Sequence, residues 1–174
     1  MPRVRLSRSE AYRWGAAALF LAAASILIAL GFEHIGKMRP CALCYQQRWP
    51  YYATIPALFV ALVLLTSGRP RLAAGLFGLV ALGFLAGAGL GVHHVGVEWG
   101  FWPGPESCSG TSLSPLKTIL GLNQPATFDV VRCDQSSGRF LGLTFAGWNV
   151  VASLMLCTAS LKAAFAAREH ETYL

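Results

Sequence analysis

Charge is what this sequence has least of. Asp, Glu, Lys and Arg make up 13% of its 174 residues, against about 25% in an ordinary soluble domain. Hydrophobic residues make up 55%, and mean hydropathy is +0.51. A chain this short has too poor a ratio of core to surface to hide that much apolar material from water. The composition therefore excludes a disordered chain and points away from a soluble domain, towards a membrane protein. Internal repeats and low-complexity linkers are also missing, so residues 1–174 read as one domain. No basic stripe with interleaved aromatics lies in a soluble segment. The net charge of +6 is thus no nucleic-acid footprint.

The few charges are spaced so as to leave four long gaps. None falls between Arg13 and Glu33, Arg48 and Arg69, Arg71 and Glu98, or Arg139 and Lys162. About 20 apolar residues in a helix cross a hydrocarbon core of roughly 30 Å, and in lipid the backbone must satisfy its own hydrogen bonds. Four membrane helices are expected, over about 14–32, 49–67, 72–92 and 142–161, in an all-α transmembrane bundle. The first span follows a basic cluster and resembles a signal peptide in that respect. Its apolar run is longer than a signal core, so it reads as a retained helix; cleavage would leave three spans.

Four spans place both termini on one side. That side holds Arg3, Arg5, Arg8, Arg13, Arg69, Arg71, Lys162 and Arg168; the other holds six basic residues and five of the eight acidic ones. The positive-inside rule puts the termini in the cytoplasm. Two outer loops remain, about 33–48 and 94–141. Trp14, Trp49, Tyr51, Tyr52, Trp99, Phe101, Trp102 and Trp148 fall at span ends, where rings prefer the headgroup level, and anchoring suffices to explain them. In the long loop, Ser114-Pro115 starts and Gly121 stops a short apolar helix over 115–120, expected on the membrane surface. Glu33 and His34 read as plain loop residues.

Four of the five cysteines, Cys41, Cys44, Cys108 and Cys133, fall in the outer loops, where disulfides form and persist. Cys41-Ala42-Leu43-Cys44 is a CxxC, a pair that can be exchange-active. As a staple it closes a trivial loop and gains little. Cys108 and Cys133 lie 25 residues apart in the long loop, a spacing suited to a disulfide that a partner protein can reach. A second close pair is lacking, and His34 is the only outer His expected near the CxxC, so a zinc site is disfavoured and no metal is expected. Two structural disulfides, in a non-catalytic membrane subunit, remain an alternative, and four cysteines allow three connectivities. Cys157 sits among Ala, Leu and Met as a small buried residue.

Cys41-Ala42-Leu43-Cys44-Tyr45-Gln46-Gln47-Arg48 between the first two spans resembles the signature of the DsbB family of bacterial inner-membrane disulfide-forming oxidoreductases. Cys108, Arg132-Cys133-Asp134 and Phe140-Leu141-Gly142-Leu143, running through Trp148 into the last span, are similar to that family as well. The resemblance implies a relay. A DsbA-like periplasmic thiol oxidase would attack at Cys108, Cys133 would exchange with Cys41, and Cys44 would face a membrane quinone, ubiquinone or menaquinone. Such exchange runs through thiolate attack on a disulfide sulfur. A vitamin-K-epoxide-reductase-like protein also couples a CxxC to quinone, but its CxxC is expected between later helices.

Arg48 follows Cys44 by four residues, so in a helix the two share a face. Its cation can stabilise a thiolate or charge developing on a quinone oxygen; the plainer role is snorkelling to the headgroups. His93 and His94 end the third span. The resemblance implies a polar residue near there beside the quinone, with a second one turn later, a spacing met by His94 and Glu98. Where some relatives carry Gln, this chain has Glu98. Arg48, His94 and Glu98 are therefore the expected quinone-binding residues, with membrane lipid as the surrounding partner.

Overall fold

The computed structural model describes residues 2–105, 133 and 139–172. Among them are four long helices: α1 (Pro2–His34), α2 (Ala42–Thr66), α3 (Pro70–Glu98) and α4 (Phe145–Thr172). Each contains a stretch long and apolar enough to cross a membrane. The expected all-α four-helix bundle is what the chain adopts. Successive helices pack side by side and α4 closes the ring on α1, with α3 and α4 sharing the largest interface.

Small residues let these helices approach. Ala11, Ala18, Ala22, Ala61, Ala73, Ala81, Ala163 and Ala167 are fully or almost fully buried, while Leu58, Phe77, Phe84 and Leu156 fill the centre. Without a hydrophobic drive between helices in lipid, close packing of small side chains supplies much of the association. Gly15 is one such contact: a Cβ there would lie 2.7 Å from Phe77 Cζ and 2.9 Å from Leu62 Cδ2. Phe20, Leu27, Leu79, Leu82 and Phe165 point outward, the face a bilayer would cover.

Helix ends follow local chemistry rather than the charge gaps. After α2, Gly68 takes a φ of +74°, and the amide of Arg69 donates to Leu64 O at 3.0 Å. This is a glycine-closed C-cap, and Pro70 opens α3 directly. Gly100, also at +74°, ends α3 the same way, with the Phe101 amide donating to Gly96 O at 2.9 Å. The span expected at 49–67 is the later part of a helix that begins at Ala42, and the one expected at 72–92 lies inside a helix that runs on to Glu98. The CxxC, expected in a loop over 33–48, stands at the start of α2 instead.

The fourth helix begins at Phe145, three residues later than expected, because a short hairpin precedes it. Strands β1 (Arg139–Phe140) and β2 (Leu143–Thr144) pair antiparallel. Leu141 and Gly142, at φ +52° and +84°, make the two-residue turn, the left-handed pair that matches strand twist. Thr144 caps α4, its Oγ1 accepting from the Gly147 amide at 3.2 Å. Trp148 Nε1 donates to Phe140 O at 2.9 Å and fastens the hairpin to the helix. The helix expected over 115–120, with its Ser114 cap, lies outside the described residues, as do Cys108, Arg132 and Asp134.

Candidate functional site: a thiol pair between two surroundings

Cys41 is the N-cap of α2, in extended conformation, and its Sγ accepts from the Cys44 amide at 3.2 Å. The side chain therefore stands where the first helical amides point, which favours negative charge on sulfur. Cys41 is 3% exposed and packs in a small buried cluster with Leu43, Val97 and Cys133. Cys133 is disulfide-bonded; Cys41, Cys44 and Cys157 are free thiols.

His94, on α3, reaches this cluster. Its Nε2 lies 3.7 Å from Cys41 Sγ, and its Nδ1 2.7 Å from Gln47 Nε2. The Gln47 amide donates to Nδ1, leaving Nε2–H to donate to the sulfur. The Cys41 thiol is held well below the ordinary thiol range. Its hydrogen bond with the Cys44 thiol is the main cause; the bond with His94 and the Cys44 amide also favour the thiolate, and burial opposes them. The expectation that only His34 would lie near the CxxC is corrected: His94, 53 residues along the chain from Cys41, is the neighbour. Glu98 stands behind it, Oε1 4.0 Å from Nε2, with a side chain only 7% exposed. His93 is elsewhere, its exposed ring stacked on Trp102 at 5.7 Å.

Cys44 packs against this cluster and also borders a second surrounding. It lines a cavity of about 740 Å³ bounded by α1, α2, α4 and the hairpin. Most of the wall is apolar: Ile26, Ile28, Phe32, Phe140, Phe145 and Trp148. Arg48, one turn beyond Cys44, lines the same space with an 11% exposed side chain. Its guanidinium pairs with Glu33 and lies 5.2 Å from the centre of the Tyr45 ring. Glu33 Oε1 also accepts from Tyr45 OH at 2.9 Å. Deeper in, Tyr51 OH donates to Asn149 Oδ1 at 2.9 Å.

The structure thus brings Cys41, Cys133 and His94 into one cluster, and sets Cys44, which packs against that cluster, on a cavity it shares with Arg48. His94 and Glu98 are not among the cavity's lining residues. Glu33 corrects its reading as a plain loop residue: it stands in the last turn of α1 and fixes Arg48. Gln47, which orients His94, carries no role in the sequence beyond its place in the CxxC signature. Its position three residues after Cys44 was the available signal, since that spacing returns to the same side of a helix.

A helical bundle with a CxxC at a helix start, beside a third cysteine that is disulfide-bonded and an apolar cavity, defines a membrane thiol–disulfide oxidoreductase. The profile of the disulfide bond formation protein DsbB family matches residues 11–163, and the chain belongs to that family. It is 32% identical over 174 residues to a disulfide bond formation protein B of Xanthomonas oryzae pv. oryzae, covering 90% of this chain and 95% of that one. The corresponding figures are 33% over 171 residues for one from Xanthomonas campestris pv. campestris, with 88% and 93% covered. A Marinobacter nauticus protein of the same name is 29% identical over 154 residues, with 86% and 89% covered. No solved structure matches the chain. It is a multi-pass membrane protein of disulfide-bond formation.

Proposed function

We propose that this protein reoxidises a soluble, DsbA-like periplasmic dithiol oxidase and delivers the electrons to a membrane quinone. The observation that carries this reading is that Cys44, and not Cys41, lines the cavity. Cys41 packs with Cys133, and Cys44 opens on the cavity.

The chemistry starts from two disulfides, Cys108–Cys133 and Cys41–Cys44. A partner thiolate attacks Cys108 and frees Cys133. The Cys133 thiolate attacks Cys41 and frees Cys44. The partner's second thiol then releases Cys108 by forming the partner's own disulfide. Cys108 attacks Cys133, re-forms the loop disulfide and expels Cys41. A low-pKa thiol leaves faster, so the donors on Cys41 favour this last step. Each exchange conserves one disulfide. The net result is two electrons and two protons held on Cys41 and Cys44, and Cys133 in a disulfide beside two free CxxC thiols corresponds to that stage.

The cavity suits a quinone. Its volume falls within the range of small-molecule sites, its wall is mostly apolar, and Arg48 is the cation beside Cys44. Cys44 and Arg48 would hold the head group, and Phe32, Phe140, Phe145 and Trp148 the ring and tail. A bound quinone supplies a two-electron, two-proton acceptor. Arg48, fixed by Glu33, offers positive charge where sulfur and oxygen become anionic. His94, on the Cys41 side, is assigned to the thiolate it touches. With four spans and the basic N-terminal cluster inside, the CxxC faces the periplasm and both termini the cytoplasm.

The test is to mix the reduced, purified protein with ubiquinone or menaquinone and follow thiol loss against quinol formation. One quinol per disulfide is expected. Cys44→Ser should abolish it while the protein remains inserted. No quinol from the parent protein, or normal turnover in the variant, would refute the reading.

A further inference from the structure

The three groups at the start of α2 have a geometry the relay does not require. The Sγ atoms of Cys41 and Cys44 and a ring nitrogen of His94 all lie within 4.8 Å of one another. Tetrahedral Zn(II), with bonds of about 2.3 Å to sulfur and 2.0–2.1 Å to nitrogen, needs ligand atoms about 3.8 Å apart for two sulfurs and about 3.6 Å for sulfur and nitrogen. The Cys41 Sγ to His94 Nε2 distance is 3.7 Å.

A second observation points to a cation. Glu98 Oε1 lies 4.0 Å from His94 Nε2 in a side chain 7% exposed, and Glu98 Oε2 is buried with no hydrogen-bond partner among the described residues. A cation on Nε2 would give that carboxylate a counter-charge. Gln47 completes the surround. A half-turn of its amide presents Oε1 to Nδ1–H, which frees the Nε2 lone pair and fixes the ring, the usual support for a metal-bound histidine. Cys44 also lines the cavity, which provides a way in.

We propose that the reduced Cys41–Cys44 pair and His94 Nε2 together bind a thiophilic d10 cation, with Zn(II) as the type, and that oxidation of the pair abolishes the site. Binding takes both sulfurs as thiolates, releases to solvent whatever thiol proton is still held, and moves no electrons. The fourth position is left for water. While the cation is held, both sulfurs are engaged and neither can exchange. The site needs the CxxC and His94 but no quinone, so it stands apart from the reading above.

The experiment uses the untagged full chain carrying Cys108→Ser and Cys133→Ser, so that Cys41, Cys44 and the buried Cys157 are the remaining thiols. Zn(II) is titrated in quinone-free detergent against a chromophoric chelator, with the CxxC reduced and again oxidised. One equivalent is expected in the reduced protein, with binding at least 100-fold weaker after oxidation. His94→Ala should weaken binding about tenfold or more. X-ray absorption at the zinc edge of the protein with His94 intact should show two sulfurs and at least one nitrogen, which needs no folded His94 variant. No stoichiometric uptake, uptake indifferent to oxidation, or a shell without two sulfurs and a nitrogen would overturn the proposal. Stoichiometric, redox-dependent uptake by a protein that fails to reduce quinone would support this site and overturn only the relay to quinone.

Discussion

Replacing His94 with Phe tests how the fold prepares Cys41. The substitution removes the Nε2–H donor 3.7 Å from the sulfur and the Nδ1 acceptor 2.7 Å from Gln47, and keeps a ring in the buried slot. A hydrogen bond to a charged group is worth about 1.5–3 kcal/mol, and one pKa unit is about 1.4 kcal/mol. Losing a donor to the thiolate destabilises the charged form, so the Cys41 pKa should rise by roughly one to two units. The Cys44 thiol is the larger contributor and must be kept in kind. Cys44→Ser retains a hydroxyl donor there. With Cys108→Ser, Cys133→Ser and Cys157→Ala, Cys41 is the sole thiol. Its alkylation rate by iodoacetamide is then followed against pH, with chelator present to exclude metal. The His94-containing protein should titrate well below the ordinary value of about 8.5, and the Phe variant one to two units higher. Alkylation in the acid limb should slow about 10- to 100-fold. A shift under about 0.3 units, or one downward, would show that His94 does not hold the thiolate.

Arg48→Gln should raise the KM for quinone about 10- to 100-fold, since a charge-assisted contact is lost, while single-turnover exchange with the partner dithiol stays within a few-fold; an unchanged KM would remove Arg48 from the cavity's chemistry. Gly15→Ala should destabilise the bundle by about 1–3 kcal/mol through overpacking against Phe77 and Leu62, read as a lowered melting temperature in detergent, and an unchanged melt would contradict this packing. Tyr51→Phe should cost about 1 kcal/mol by leaving Asn149 Oδ1 without its donor, checked by the same melt. A membrane-impermeant maleimide applied to cells under reducing conditions should label single cysteines placed at Ile35 but not at Ser67; the reverse pattern would invert the orientation.

The sequence displayed the four helices because charge is expensive in lipid, so its gaps mark the spans. It misplaced their ends for the same reason. Glu33, Arg48 and Glu98 bounded the gaps, yet all three lie inside helices, where pairing or burial in protein makes them tolerable. The CxxC and Arg48 were legible because they are close in the chain and share one helix. The Glu33–Arg48 pair was not, since a turn separates two different helices and no local pattern sets how they meet. His94 was visible as a polar residue at a helix end. That it meets Cys41 depends on the register of α3 against α2, which packing of small residues such as Ala73, Ala81 and Gly87 decides. The hairpin before α4 was carried by Leu141-Gly142, whose left-handed turn could have been read from Gly142.

Cys44 borders the cavity and Cys41 does not, and this has a pharmacological meaning. A compound lodged against Cys44 would fill the cavity without touching Cys41, which is not among its lining residues. On the relay proposed above, incoming thiols would remain free to react until every molecule was loaded with electrons it could not discharge. The inhibited population would therefore be trapped reduced, and its redox state, rather than its amount, would report that the drug had reached its target.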